Sequence, residues 1–170
     1  MSVTLALLLA APLCNATAAV APITFEDMVD SAQLVVIAKV DSMWERIDTR
    51  LLADSTLKAF PYTHVAAEIL TVYYKDTSLL PHTNLLHLVY GGGLGLHINP
   101  SVSFEEGEVF LAAITPFVEF QSGNETVYRV VTRRWKYTIE NDSLEIHYAD
   151  PLPIEQVIGT LSSRFTQVQP

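Results

Sequence analysis

The sequence predicts a mainly β domain, a small OB-like antiparallel β-barrel with a short N-terminal helix and an amphipathic C-terminal helix. Three observations carry this prediction. Short β-branched or alternating segments follow one another at fairly even spacing, one helical pattern stands at each end, and most strands are not followed by the helix that a parallel α/β fold requires. The chain has 170 residues, 49% of them hydrophobic, which suits one domain with one core.

The first residues are typical of a cleavable export signal. Residues 3–11 are apolar, Pro12 follows, and small residues surround the expected cleavage sites near Ala18 and Ala21. The apolar run is too short to span a membrane as a helix, although the usual Lys or Arg before it is missing. We therefore expect residues 1–21 to be a signal peptide and residues 22–170 to form one exported domain, periplasmic or secreted.

Cys14 is the only cysteine of the chain, and it lies inside the expected signal. The mature domain is therefore predicted to contain no disulfide. A lipoprotein interpretation, with Cys14 acylated, is disfavoured because Leu13 stands where such signals have a small residue. An exported domain without disulfides favours a bacterial source, since small secreted domains elsewhere are often rich in them.

The elements follow from periodicity. Thr24 is a candidate N-cap for a helix that extends to Ala32, and the β-branched run at residues 34–44 predicts a long buried strand. Residues 46–61 lack clean periodicity and are predicted to form a long loop. Further strands are expected at residues 65–74, 85–90, 109–114, 127–131, 135–139 and 144–148. An exposed acidic turn is expected at residues 104–108.

The last two elements allow sharper predictions. Asn141-Asp142 is expected to be a hairpin tip, which pairs Ile139 with Leu144, Tyr137 with Ile146 and Trp135 with Tyr148 on one face. Residues 150–153 then interrupt the sheet. The final helix is predicted to pack one apolar stripe onto the barrel, formed by Ile154, Val157, Ile158, Leu161 and Phe165.

Four segments in this order resemble a recurrent exported bacterial domain whose fold is similar to the netrin-like, tissue-inhibitor-of-metalloproteinase OB barrel. They are AQLVVIAKV at residues 32–40, AEILTVYYK at 67–75, YGGG at 90–93 and FEEGEVFL at 104–111. The resemblance implies an OB-like barrel over most of the mature chain. Inhibitors of that type reach the enzyme's zinc with an N-terminal cysteine held by disulfides, and the predicted mature chain has neither.

The net charge of the chain limits the classes of partner that we expect it to bind. Ten basic and nineteen acidic residues give a net charge of −9, which opposes binding to nucleic acid or to anionic lipid. One short stretch nevertheless concentrates cations and is a candidate anion or partner site: Arg129, Arg133, Arg134 and Lys136. Arg134 and Lys136 are expected to be exposed, because on a regular strand they point away from Trp135. The alternative is an edge strand protected by charge.

Other motifs point only weakly to chemistry. A glycine run is a candidate binding loop, formed by Gly91, Gly92, Gly93 and Gly95, but no helix or Gly-Lys-Ser/Thr motif follows as in a phosphate loop. A turn that needs positive φ is favoured there. The five histidines show no metal-ligand spacing, and each is predicted to be an ordinary surface or strand residue.

The sequence therefore predicts a non-catalytic exported binding or interaction module without a cofactor. Its expected partner is another exported protein or an anionic ligand, with no nucleic acid and no membrane span. Two alternatives remain open at this point. One is a peptidase inhibitor that acts through the barrel loops. The other is a small hydrolase whose site assembles distant residues, for instance His97 with Ser101 or Asp150.

Overall fold

The computed structural model describes residues 24–81, 83–95, 102–120, 126–146 and 150–169, without the side chain of Arg133. Two short 3₁₀ turns, Thr77–Leu79 and Arg133–Trp135, accompany the main elements. These elements are α1 Phe25–Ser31, β1 Leu34–Leu51, β2 Leu57–Tyr74, β3 Leu85–Gly91, β4 Val109–Pro116, β5 Tyr128–Val130, β6 Lys136–Glu140, β7 Ser143–Leu144, β8 Leu152–Pro153, α2 Ile154–Arg164 and β9 Thr166–Val168.

Five strands close into the predicted barrel. The neighbours run in the order β1-β2-β3-β5-β4, and β4 pairs again with β1. All of these pairings are antiparallel except that of β3 with β5. The β1–β2 register shifts between Ile37 and Ala38 and between Val40 and Ser42, and such bulges bend a sheet. The mainly β, OB-like prediction is therefore confirmed.

The barrel interior is filled by alternate residues of all five strands. Val36, Val65, Leu88, Phe110 and Tyr128 each belong to this buried cluster, one from every strand. The intervening residues of β1 and β4, among them Val35 and Leu111, face outward but are buried as well. This double burial explains why the first strand reads as apolar on both faces.

The two helices cover that outer face. The predicted N-cap of α1 is confirmed: Thr24 and Asp27 form a capping box. Helix α2 buries Val157 and Leu161 in the same outer cluster as Met28 and Val29 of α1. The predicted stripe of α2 is wrong at Ile158, which is 38% exposed and does not belong to this cluster.

The predicted loop at residues 46–61 is wrong. β1 and β2 stay paired from Arg46–Tyr62 to Leu51–Leu57, so this stretch is the outer half of a long hairpin. One of its faces carries exposed apolar residues such as Ile47, at 61% exposure, while the other packs on residues 117–120. Because the exposed face also carries apolar side chains, the segment lacks the polar–apolar alternation by which half-buried strands are recognised.

The Asn141-Asp142 hairpin tip is confirmed. Both residues have positive φ, at 50° and 57°, as a two-residue hairpin turn requires, and Ile139 pairs with Leu144. Tyr137, Trp135 and Ile146 all pack on the outer cluster, whereas the predicted partner Tyr148 lies outside the described residues. Leu152–Pro153 does not interrupt the sheet as predicted, since it pairs with β7.

Candidate functional site

A cleft opens in the barrel wall between β3 and β5. Among the described residues the ladder between these strands contains one pair, Leu88 with Tyr128, fewer than any other ladder of the barrel in that part of the chain. The cleft has a volume of about 400 Å³, within the range of about 300–1,000 Å³ that small-molecule sites take. Its apolar lining comes mainly from Leu88, Tyr90, Val102, Phe104, Phe117 and Val130.

Arg129 is the cation in this lining. Its guanidinium carbon lies 4.8 Å from the centroid of the Phe117 ring, which is itself buried. The carboxylate of Glu119 lies beside it, with Oε2 3.9 Å from Nη1 of Arg129. The side chain of Arg129 remains 43% exposed. The apolar cleft thus has a positive group in its wall.

Neither Lys136 nor Arg134 joins Arg129 in the lining of the cleft. Arg129 pairs with Thr115 and Lys136 with Ala112, positions that lie on opposite faces of β4. Lys136 is bonded to Glu108 and its side chain is only 12% exposed, so the prediction that it is exposed is wrong. Arg134 is exposed, as predicted. For Arg133 the structure describes the backbone alone, at the start of a 3₁₀ turn.

The acidic turn at residues 104–108 explains the burial of Lys136. Glu105 and Glu106 are exposed as predicted, but Phe104 is buried and the side chain of Glu108 is only 8% exposed. One oxygen of Glu108 accepts hydrogen bonds from Lys136 and Thr138, and the other accepts one from the backbone N–H of Glu105. The turn is therefore closed by a carboxylate rather than fully solvated.

The glycine run contacts residues of the β1–β2 hairpin. Gly92, Gly93 and Gly95 have positive φ, as the turn prediction requires, and Gly91 is the last residue of β3. The backbone N–H of Leu94 donates a 2.5 Å hydrogen bond to a carboxylate oxygen of Glu45. A Cβ at Gly93 would lie 3.1 Å from Thr63 Oγ1. In this structure a carboxylate of the chain itself occupies the loop.

A second polar cluster lies on the outer face of β1, β2 and β3. His64 Nε2 lies 2.6 Å from Asp48 Oδ2, and His64 Nδ1 lies 2.9 Å from His87 Nε2. Because a carboxylate only accepts, His64 donates to Asp48 and accepts from His87. Trp44 stacks on the His64 ring with centroids 5.1 Å apart. Arg46 completes the chain through its ion pair with Asp48.

Burial and the neighbouring charges shift the pKa values of both His64 and Asp48. His64 is fully buried, and burial lowers its pKa, although the hydrogen bond and charge of Asp48 act in the opposite direction. Burial would raise the pKa of Asp48, but the hydrogen bonds from Arg46 and His64 outweigh it and hold that pKa below its usual value. His64 is thus a neutral imidazole between an anion and a second imidazole.

The arrangement of this cluster fits a structural role. Both ring nitrogens of His64 are bonded within the chain, which leaves neither of them for a substrate. The three groups Asp48, His64 and His87 form a line rather than converging on one point. Among the residues that the structure describes, no three His, Cys, Asp or Glu side chains are placed to hold a metal ion.

Acidification is expected to destabilise the fold through His64. Its folded-state pKa lies below the ordinary value of about 6.5, so the unfolded chain binds the proton more readily. The stabilisation is therefore complete above pH 6.5 and is lost as the pH falls through the folded-state pKa. Urea unfolding between pH 7.5 and 5 should show the midpoint falling with pH.

A His64→Gln variant provides the control for that titration. It removes the buried titrating group, so the fall of the midpoint between pH 7 and 5 should become shallower, whatever the variant's stability at pH 7.5. An equal slope in the two proteins would show that other groups carry the acid sensitivity. Asp48 contributes separately at lower pH, since its depressed pKa stabilises the fold above the usual carboxyl range.

Sequence reasoning missed Glu119 and the Asp48–His64–His87 chain. Asp48 lies in the segment predicted as a loop, and His64 and His87 become neighbours only through the β2–β3 register. The available signal was the position of His64 beside buried Val65 on a strand, where a polar residue needs a partner. His82, His97, Ser101 and His147 lie outside the described residues.

Comparisons with protein-family models, curated proteins and solved structures give no match. In the described part of the chain, no helix is both long and apolar enough to cross a membrane.

Proposed function

We propose that this chain is a non-catalytic, exported binding module that takes a small, largely apolar ligand in the cleft between β3 and β5. The observation that carries the proposal is the cleft itself, about 400 Å³ in volume, whose wall combines aromatic and aliphatic side chains with Arg129. A concave apolar site with few polar groups is the usual form of a small-molecule site. Export is proposed from the signal-like residues 1–21.

The absence of an assembled catalytic group among the described residues supports binding over turnover. The nearest approach to one is the Asp48–His64–His87 chain, in which both nitrogens of the buried imidazole are already bonded. Purified protein is therefore expected to turn over no ester, glycoside or peptide substrate. Turnover that disappears in the His64→Gln variant would contradict the proposal.

Cleft binding is testable with a neutral probe. N-phenyl-1-naphthylamine is apolar and fluoresces when it leaves water, so wild-type protein should bind it saturably at one site. Val131 lines the cleft and is 45% exposed, so Val131→Trp should fill the space without disturbing the core. We expect this substitution to weaken probe binding about tenfold, which is the loss of one or two well-packed contacts.

Val118→Trp is the matched control, because Val118 is 84% exposed and does not line the cleft. This variant should bind the probe like the wild type. Equal loss in both variants, or none in either, would place the probe elsewhere and remove the support for a cleft site.

A further inference from the structure

Charged groups gather on the ring of Phe117 at the wall of the cleft. The guanidinium carbon of Arg129 lies 4.8 Å from the ring centroid and that of Arg50 lies 5.4 Å from it. Glu119 is the carboxylate of this group, 3.9 Å from Arg129. The backbone of Glu119 is held in place, since its carbonyl accepts a hydrogen bond from the N–H of Leu51. Among the described side chains at this ring, two cations stand against one anion.

Arg50 is hydrogen-bonded to the hydroxyl of Tyr62, but part of the hydrogen-bonding capacity of this group is unused within the described residues. Arg129 meets Glu119 at ion-pair distance without a hydrogen bond. Nε of Arg50 and Oε2 of Glu119 are both buried and have no hydrogen-bond partner in the described structure. Buried polar atoms are normally satisfied, so these two open atoms leave room for a further hydrogen-bonding group next to Arg129, the member of this group that lines the cleft.

A guanidinium presents a planar set of N–H donors that matches a carboxylate. We propose that Arg129 receives the carboxylate of a small amphiphile whose apolar body lies in the cleft, and that Glu119 is the internal carboxylate with which this ligand competes. The inference rests on the proposed cleft function and names its ligand class. A polyanion is disfavoured, because the chain's net charge of −9 repels it while one local excess cation suffices for a monocarboxylate.

A matched pair of fluorescent ligands tests the apolar cleft and the carboxylate assignment separately. 11-(Dansylamino)undecanoate carries a carboxylate on an apolar chain, and its methyl ester has the same body without the charge. At pH 7.5 the wild type should bind the carboxylate about tenfold more tightly than the ester, as one charge-assisted hydrogen bond to arginine allows. Arg129→Gln should abolish this preference, so that the carboxylate binds no more tightly than the ester.

Two further variants sharpen the test. Glu119→Gln removes the competing carboxylate and should strengthen carboxylate binding several-fold, the opposite direction from Arg129→Gln. Arg134→Gln makes the same change in net charge as Arg129→Gln at an exposed position outside the cleft lining, so it should leave both affinities unchanged. Near-ultraviolet circular dichroism of each variant verifies that the fold is intact.

Failure of the carboxylate assignment can be distinguished from failure of the proposed cleft function. If the ester and the carboxylate bind with equal affinity, and Arg129→Gln changes neither, the carboxylate assignment is overturned while the apolar cleft stands. If neither ligand binds to folded protein, both the cleft function and this inference fail. An equal loss of carboxylate binding in Arg129→Gln and Arg134→Gln would reveal general electrostatic attraction and would also overturn the assignment.

Discussion

A chain truncated after Asp150 is expected to lose its cooperative fold. The truncation removes β8, α2 and β9, and with them the fully buried side chains of Val157 and Leu161 and the nearly buried Phe165. Outward-facing Val35 and Leu111 of the barrel would then be exposed to water. Large-to-small changes at one such buried site cost about 2–5 kcal/mol, and several together approach the whole stability of a domain, about 5–15 kcal/mol.

Point substitutions in α2 provide the control for the truncation. Leu161→Ala should lower the free energy of unfolding by about 2–5 kcal/mol, whereas Ile158→Ala should cost clearly less because Ile158 is 38% exposed. Urea unfolding measures both, and near-ultraviolet circular dichroism reports the packing of the truncated chain. A truncated protein with an unchanged melting temperature would show that the helix is dispensable.

Glu108→Ala is expected to destabilise the protein by about 3–5 kcal/mol, because it leaves the ammonium group of Lys136 nearly buried without its partner. It also removes the acceptor for Thr138 and for the backbone N–H of Glu105. The double substitution Glu108→Leu with Lys136→Met replaces the pair by apolar groups and should recover much of that loss, since isosteric apolar replacement of a buried pair is often neutral.

Glu105→Ala is the matched change on the same turn. Its side chain is exposed, so the free energy of unfolding should change by no more than about 0.5 kcal/mol. Double-mutant analysis of urea unfolding measures the coupling between Glu108 and Lys136. If Glu108→Ala proves as mild as Glu105→Ala, the pair is solvated in solution and Lys136 returns to the candidate surface cations.

The barrel strands could be predicted because their side chains alternate against one core. Val65 and Ala67 point inward while the intervening residues do not, and this period survives in the sequence. The hairpin tip could be predicted because Asn141 and Asp142 tolerate the positive φ that the turn needs. The outer half of the β1–β2 hairpin could not be predicted, because its exposed face carries apolar residues such as Ile47 and the polar–apolar alternation is lost.

The candidate site was only partly predictable. The concentration of basic residues at positions 129–136 singled out Arg129, which the structure places in the cleft wall. The same pattern grouped Arg129 with Lys136, which lies on the opposite face of β4. The intervening 3₁₀ turn at Arg133–Trp135 breaks the strand on which simple alternation was assumed. Glu119 and Phe117 reach Arg129 through tertiary packing, and no local pattern encodes such contacts.

A ¹H–¹⁵N chemical-shift titration with dodecanoate reports whether a small apolar carboxylate binds between β3 and β5. We expect saturable shifts that are largest for the amides of Leu88, Tyr90, Phe117 and Val130, and a weaker response in Arg129→Gln. Saturable shifts centred on α1 and α2 would contradict binding in this cleft. So would the absence of shifts at dodecanoate concentrations well above those at which the fluorescent ligands saturate the protein.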